Sequence, residues 1–309
     1  MNIKNKLRSI LDKSIQYVQR KWTNPDVEIF LKASLAGSQE LSDLNDPMAY
    51  ITNLRKCIEP LRFNISSIKY DNQQKNDIAS LRFSNLIQRL QYNLPPIPFP
   101  IAKTIAEYAD EYFGNLSSIE LKNYAADVAE HFRISSSTGN KGRLLATVVR
   151  FMRPKTCLEL GTCYGMSAVV IISMLRAIGD FESFDTIDCN EPMFSLSKET
   201  LTNKFGDLVT CNKGLIQKEL PKILKSKNHF DFVFHDAGHS REDYINDFNM
   251  MEPHLSSGAV IIFDDLHCDD PRFSVNPPHT YEGWKEILKH QRVKRAVEVN
   301  KNIGLILID

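Results

Sequence analysis

Two apolar segments of the chain end in carboxylates, and these carboxylates are the residues best suited to chemistry. Residues 230–234 lead to Asp236, and residues 259–263 lead to Asp264 and Asp265. Since the carboxyl ends of parallel strands meet at one edge of an α/β sheet, we expect the three side chains to converge. Converging carboxylates repel one another unless a cation lies between them, and oxygen ligands suit Mg²⁺. The pattern predicts a Mg²⁺ site, with acids that only cap helices or end strands as the alternative.

A glycine loop upstream predicts a second ligand site. Glu159 lies in an apolar run, and Gly161 and Gly165 follow it with the spacing E-x-G-x-x-x-G before an apolar helical pattern. A strand, a tight turn and a helix start form the place where open α/β sheets hold a small ligand. The spacing differs from the G-x-G-x-x-G of dinucleotide sites, so we do not expect a pyrophosphate.

The loop residues favour S-adenosylmethionine (SAM) as the ligand. Gly161 would let the backbone pass close to a ligand, and Gly165 would let the following helix pack tightly. Glu159 could accept a hydrogen bond from a ligand ammonium or hydroxyl group. A glycine-rich turn that binds no ligand is the alternative.

Two polar residues further along could contact the nucleoside. Asp188 ends the strand-like run 184–188, and an acid there can accept hydrogen bonds from both ribose hydroxyls. Gln217 follows the next strand and could reach the adenine edge. The alternatives are a loop or helix-capping acid at Asp188 and an exposed helix-start glutamine at Gln217.

The elements that position these residues alternate between strand and helix after residue 135. Alternation predicts an α/β fold with a mainly parallel sheet covered on both faces. The last two strands are so close in sequence that they must pair as an antiparallel hairpin. The predicted strands are residues 156–160, 184–188, 208–211, 230–234, 259–263, 293–299 and 303–308.

The chain before residue 135 has a helical pattern instead. Apolar residues recur at helical spacing over 3–18 and less strictly over 78–90, and the proline-rich stretch 94–100 cannot be helix interior. We predict an all-helical N-terminal region: residues 1–134 form a helical accessory region, with residues 1–93 helical, and residues 135–309 form the catalytic domain. The accessory helices could cover that domain or join two copies in a homo-oligomer.

Composition excludes several classes of partner. Lys plus Arg and Asp plus Glu are balanced at 38 each, so we expect no nucleic-acid partner. We expect neither a signal peptide nor a membrane span, since no apolar run approaches the required length. The cysteines contain no C-x-x-C pair and predict reduced thiols of a cytoplasmic protein.

Taken in order, the motifs resemble the metal-dependent, catechol-type O-methyltransferases, including relatives that methylate antibiotic sugars and phenols. The similarity covers roughly 135–309, from Lys141-Gly142 through the glycine loop to Asp264-Asp265. It implies a Rossmann-like class I methyltransferase sheet with metal ligands at Asp236, Asp264 and Asp265. The residues that it implies for SAM are Glu159, Gly161, Gly165, Ser167, Asp188, Gln217 and Asp236.

The resemblance assigns catalysis to His239 and also shows departures. His239 lies where catechol enzymes carry a Lys base and some sugar O-methyltransferases carry His, which argues against a catechol substrate. Gly238 replaces the aromatic residue that shields the adenine. Neutral His239 would take the proton of a metal-bound hydroxyl, unless it is a structural histidine. By strand alternation, His235 should point away from Asp236 and be packed.

The leading hypothesis is a Mg²⁺- and SAM-dependent O-methyltransferase acting on a hydroxyl of a small molecule, a natural-product phenol or sugar. A metal-independent N- or O-methyltransferase, in which Asp264 and Asp265 only shape the pocket, is one alternative. The other is a catalytically silent SAM-binding scaffold whose helical region recruits a partner. The gathering of Asp236, His239, Asp264 and Asp265 argues against the silent scaffold.

Overall fold

A computed structural model gives the fold of the chain. It describes residues 63, 65–70, 77–91, 101, 104, 105, 107, 108, 111, 112, 140–179, 181–191, 193–227, 229–267 and 280–309. Apart from residue 101, all of these belong to one compact unit, Pro60–Pro95 with Thr104–Asp309.

The described residues form one eight-stranded sheet and the helices that cover it. The strands are β1 Ile65–Tyr70, β2 Thr156–Leu160, β3 Ser183–Asp188, β4 Val209–Lys213, β5 Phe230–His235, β6 Leu255–Phe263, β7 Val293–Val299 and β8 Ile303–Ile308. The α-helices are α1 Ile78–Gln91, α2 Asn140–Met152, α3 Met166–Ile178, α4 Met193–Phe205, α5 Ile216–Ser226, α6 Arg241–Met251 and α7 Thr280–Ile287.

The strand order is β1-β7-β8-β6-β5-β2-β3-β4. Strands β4, β3, β2, β5 and β6 are parallel to one another. Strand β8 pairs antiparallel with β6, β7 with β8, and β1 with β7. The predicted fold class, a parallel α/β sheet ending in an antiparallel hairpin, is confirmed. From β2 the sheet continues through β3 to β4 on one side and through β5 to β6 on the other. The direction of strand addition therefore reverses at β2, and such a switch point opens a crevice at the carboxyl ends of the strands.

Burial explains why these segments are strands. Every residue of β2 and of β8 is buried, as expected for strands covered by helices on both faces. The helices on one side of the sheet pack a continuous apolar cluster against it, with Trp284 of α7 fully buried. Its indole Nε1–H donates to Glu298 of β7 at 3.1 Å, which satisfies the one polar group of that side chain.

The prediction that residues 1–93 are helical is wrong at β1. This strand pairs antiparallel with β7, from Ile65 opposite Val299 to Tyr70 opposite Arg295. It supplies hydrogen-bond partners to a strand that would otherwise be an open edge. A six-residue strand next to a helical pattern is too short to alter the periodicity of the region, which is why the sequence analysis missed it.

Helix α1 is present as predicted, but two apolar residues of its first turn face solvent. Ile78 and Leu81 are 69% and 61% exposed, whereas Phe83, Leu86 and Leu90 are buried. The helix is fixed at its start by polar contacts: Lys294 of β7 pairs with Asp77 at 2.8 Å. The first turn is thus tied to β7 through Asp77, and its apolar side chains Ile78 and Leu81 are exposed.

Several predictions concern residues outside the described part of the chain. These are the helices over 3–18, the proline-rich connector 94–100 and the region proposed to join two copies. The domain boundary at residue 134 stays a prediction, although β1 and α1, which precede it, belong to the same compact unit as the parallel sheet.

Within the described residues, no helix combines the length and the apolar composition needed to cross a bilayer. The cysteines described there, Cys157, Cys163, Cys189 and Cys211, are free thiols, in line with the prediction.

The packing of α1 can be tested with two leucines of the same helix. Leu86→Ala removes a side chain with no exposure and should lower the free energy of unfolding by roughly 2–5 kcal/mol. Leu81→Ala, at an exposed position, should change it by less than about 0.5 kcal/mol. Urea denaturation of both variants measures the difference, and equal losses would contradict the orientation of α1.

Candidate active site

The candidate site lies at the carboxyl ends of β2, β3, β5 and β6. Asp236 directly follows β5, and its N–H donates to the carbonyl of Leu160 at 2.8 Å. Asp264 directly follows β6, and its N–H donates to the carbonyl of His235 at 2.9 Å. The ladder between neighbouring strands therefore continues into the acidic residues and fixes their backbone.

The three acids converge as the sequence predicts. One carboxylate oxygen from each of Asp236, Asp264 and Asp265 lies within 4.8 Å of the others. The Asp264 side chain is only 1% exposed. Burial and the charge of Asp236 raise the pKa of Asp264 to about 7. A carboxylate in this environment needs a nearby cation to remain ionised near neutral pH.

Lys141 supplies a cation that the sequence analysis did not assign. It lies in the first turn of α2, and its Nζ contacts Asp264 Oδ2 and lies 3.3 Å from Asp236 Oδ2. Burial opposes its charge, but the carboxylates outweigh burial and hold the pKa of Lys141 above its usual range. Lys141 therefore stays an ammonium while it contacts these carboxylates. In the sequence it appears only beside a glycine, with nothing to show that α2 carries it to this edge.

Asp265 is held by the hairpin turn between β7 and β8. It has a φ of 58°, a left-handed conformation that is uncommon for a residue other than glycine. Asn302 Nδ2 donates to Asp265 Oδ1 at 3.1 Å, and the Leu266 N–H donates to the Asn302 carbonyl at 2.9 Å. Thr280 Oγ1 donates to the Asp265 carbonyl at 3.1 Å. These bonds stabilise the conformation that directs Asp265 toward the other acids.

The histidine before Asp236 is packed on the other side of the strand, as predicted. His235 is fully buried, and its Nε2 lies 3.0 Å from Asp247 Oδ2. Its ring contacts Tyr244, whose hydroxyl donates to the carbonyl of Asp264. This group supports the acid cluster from the core.

The structure places Glu159 beneath the glycine loop. It has no exposure, and its two carboxylate oxygens accept hydrogen bonds from Ser167 Oγ at 2.6 Å and Thr186 Oγ1 at 2.7 Å. Burial raises its pKa to about 8. Glu159 and Ser167 therefore join β2, β3 and α3 under the loop, and their direct contact with a ligand stays a prediction.

Both glycines of the loop are required by close neighbours. Gly161 has a φ of 96°, and a Cβ there would lie 2.1 Å from the carbonyl oxygen of Asp236. Gly165 has a φ of 74°, and a Cβ there would lie 2.3 Å from the Tyr108 hydroxyl. That hydroxyl donates to the carbonyl of Tyr164 at 2.8 Å. The backbone at Gly161 therefore passes close to Asp236, the residue that follows β5. Contact between Gly161 and a ligand stays a prediction.

Asp188 is held in one orientation by the backbone. The Cys163 N–H donates to its Oδ2 and the Asn190 N–H to its Oδ1, each at 2.7 Å. Each oxygen keeps a second lone pair for a ligand hydroxyl. Gln217 is the second residue of α5 and is exposed near the end of β4. Their contacts with a nucleoside stay predictions.

His239 is partly buried on the loop that joins β5 to α6. The left-handed Gly238, with a φ of 59°, precedes it. Ser240 follows it and caps α6 by accepting a hydrogen bond from the Asp243 N–H at 3.1 Å. The turn and the cap limit the positions open to His239, and its role as a base stays a prediction.

Comparison with known proteins assigns the family. Residues 158–266 match a family described as a methyltransferase domain. The catechol O-methyltransferase of Sus scrofa is 30% identical over 133 residues, which cover 41% of this chain and 69% of the relative. The chain belongs to the class I SAM-dependent O-methyltransferases. The fold of this chain also resembles that of an S-adenosylhomocysteine-bound methyltransferase from Podospora anserina, with a TM-score of 0.51. The two sequences are 17% identical, and the match covers 79% of this chain and 99% of the other.

The switch point of this O-methyltransferase places two groups of residues side by side. The glycine loop and Asp188 lie at the ends of β2 and β3, and the acid cluster lies at the ends of β5 and β6. Gly161 and Asp236 are in contact where the two groups meet. A cofactor on the loop would therefore lie next to whatever binds at the acids.

The buried carboxyl of Glu159 should make the stability of this methyltransferase depend on pH. The pKa of Glu159 rises from 4.5 to about 8 on folding, so the folded protein keeps a proton that the unfolded chain releases between these pH values. The stability due to this proton is present at low pH and lost as pH rises through that window, by roughly 1.4 kcal/mol per unit. Glu159→Gln cannot ionise and should remove this component.

Urea denaturation between about pH 5 and about pH 8 tests this expectation. The free energy of unfolding of the parent should fall relative to that of Glu159→Gln as pH rises. Glu182→Gln, at an exposed carboxyl, should follow the parent. Parallel curves for the parent and Glu159→Gln would show that burial does not perturb this carboxyl.

Proposed function

We propose that this O-methyltransferase uses Mg²⁺ to methylate a hydroxyl of a small molecule, a natural-product phenol or sugar. The observation that carries the proposal is the convergence of Asp236, Asp264 and Asp265 beside the glycine loop. All donors are hard oxygen atoms, and three protein ligands leave positions for water or substrate, as suits Mg²⁺. The burial of Asp264 among other acids also favours a cation there.

The chain's own residues would position the reactants and move the proton. Asp188 would hold the ribose of SAM, and Asp236, Asp264 and Asp265 would hold the metal. When bound, Mg²⁺ would supply a Lewis acid that lowers the pKa of a coordinated hydroxyl. The rigid joint between Gly161 and Asp236 would keep the acceptor oxygen aligned with the methyl carbon.

In the transfer itself, a lone pair of the acceptor oxygen forms a bond to the methyl carbon as the carbon–sulfur bond of SAM breaks. His239 would take the proton that leaves the acceptor hydroxyl. In the absence of metal, the adjacent carboxylates hold the pKa of Lys141 above its usual range, so His239 is the better candidate for the base. Since His239 lies where catechol enzymes carry a Lys base, we propose a phenol or sugar hydroxyl outside the catechol class.

One observation favours a second candidate, a metal-independent methyltransferase. The ammonium of Lys141 already provides a positive charge between Asp236 and Asp264. In that case Asp264 and Asp265 would shape the pocket, and Lys141 would offset the charge of the acids without a metal. A loss of transfer on treatment with EDTA distinguishes the metal-dependent enzyme from this candidate.

The nucleoside site can be tested by calorimetry with SAM. Asp188→Ala removes the acceptor for the ribose hydroxyls and the anchor of the Cys163 N–H, so SAM affinity should fall by about 1.5–3 kcal/mol. Asp207→Ala, at an exposed acid in the turn before β4, should bind SAM as the parent does. Unchanged affinity in Asp188→Ala would move the ribose contact to another residue.

The metal and the base can be separated by two variants, assayed with a phenol or sugar that the parent methylates. Asp264→Asn should abolish metal-stimulated turnover but leave SAM affinity within a few-fold, because the nucleoside would lie over β2. His239→Ala should keep both ligands and lower the transfer rate by about 10²- to 10⁴-fold, the range for a positioned general base. A parent-like rate in His239→Ala would exclude it as the base.

A further inference from the structure

Lys141 is in direct contact with the acids proposed to hold the metal. Its Nζ contacts Asp264 Oδ2 and lies 3.3 Å from Asp236 Oδ2. Lys141 and Asp236 are each only 25% exposed, and Asp264 is 1% exposed. This ion pair is therefore shielded from water, so it is stronger than the surface pairs formed by most lysines.

The contact uses an oxygen atom that a metal would need. Asp264 Oδ1 accepts a hydrogen bond from the N–H of Asp265 at 3.0 Å, and Asp264 Oδ2 contacts the Lys141 ammonium. Each oxygen keeps a second lone pair, but Asp264 Oδ2 and Asp236 Oδ2 already face a cation. A metal held by the same two carboxylates would lie close to the ammonium, and because like charges repel, the ammonium on its flexible stem would move away from Asp264.

From these contacts we propose that Lys141 is a built-in counter-ion that competes with divalent metal for Asp264 and Asp236. This inference rests on the metal site of the proposed function and adds its regulation. Without metal, the ammonium holds two carboxylates together that would otherwise repel each other. When metal binds, the ammonium gives up Asp264, so metal affinity is lower than three carboxylates alone would provide.

A different role for Lys141 would have the opposite effect. If the ammonium only pre-organised the carboxylates and kept its contacts when metal was bound, its removal would leave the acids poorly placed and weaken metal binding. The sign of the change in metal affinity on removing the charge therefore separates competition from support.

The experiment measures Mn²⁺ binding to the full chain by the electron paramagnetic resonance signal of free Mn²⁺. Lys141→Met removes the charge and keeps an apolar stem of similar length. Its Mn²⁺ dissociation constant should fall by about tenfold or more, because a neighbouring like charge no longer opposes the cation. The metal-free variant should melt at a lower temperature than the metal-free parent, and Mn²⁺ should restore most of the difference.

Lys141→Arg provides a second variant that retains the charge. A guanidinium can bind both carboxylates more firmly than an ammonium, so Mn²⁺ affinity should fall below that of the parent. This expectation can be measured even if Lys141→Met does not fold. Lys155→Met, at an exposed lysine paired with Glu182, is the control and should bind Mn²⁺ as the parent does.

Four outcomes are decisive. Tighter binding in Lys141→Met, or weaker binding in Lys141→Arg when Lys141→Met does not fold, supports competition. Equal or weaker binding in a folded Lys141→Met, or equal or tighter binding in Lys141→Arg when Lys141→Met does not fold, overturns competition and leaves the metal site standing. Binding in Lys141→Met but not in the parent supports competition and shows that Lys141 takes the place of the metal. If the parent and both variants all fail to bind Mn²⁺, this inference and the proposed metal site are both overturned.

Discussion

The contact between Gly161 and the carbonyl of Asp236 is the constraint on which the rest of the site depends. The end of β5 passes so close to the glycine loop that a Cβ at residue 161 would lie 2.1 Å from that carbonyl oxygen. The Asp236 N–H also donates to the carbonyl of Leu160, so the two strand ends are joined at the residue before the glycine as well. The loop proposed to hold SAM and the first acid of the cluster therefore form one rigid unit, as methyl transfer requires.

A second constraint is the charge gathered at that joint. Burying Asp264 beside Asp236 and Asp265 is costly, and the raised pKa of Asp264 reflects this cost. The protein offsets it with Lys141 from α2 and fixes the geometry with Asn302 from the β7–β8 turn. The acids come from the parallel part of the sheet, whereas both supporting residues come from outside it. The antiparallel hairpin of this methyltransferase thus contributes to the site as well as to the core.

Apart from β1, the strands could be predicted from the sequence, whereas the contacts between distant elements could not. Apolar runs located β2, β3, β5 and the hairpin, and the carboxyl ends of parallel strands meet at one edge, so the convergence of Asp236 with Asp264 could be expected. Lys141 and Asn302 were missed because their positions depend on how α2 and a hairpin turn pack against that edge. The interior position of Glu159 follows from hydroxyls on α3 and β3, which no local pattern reveals.

Residues before 135 also contribute to the catalytic fold. Helix α1 contacts α2, the helix that carries Lys141, and Arg82 of α1 donates to the carbonyl of Met152 at the end of α2. Tyr108 donates to the carbonyl of Tyr164 inside the glycine loop, where Gly165 leaves room for its hydroxyl. One segment therefore supports the acid cluster through α2, and another supports the loop directly. This part of the chain therefore helps to set the geometry of both proposed ligand sites.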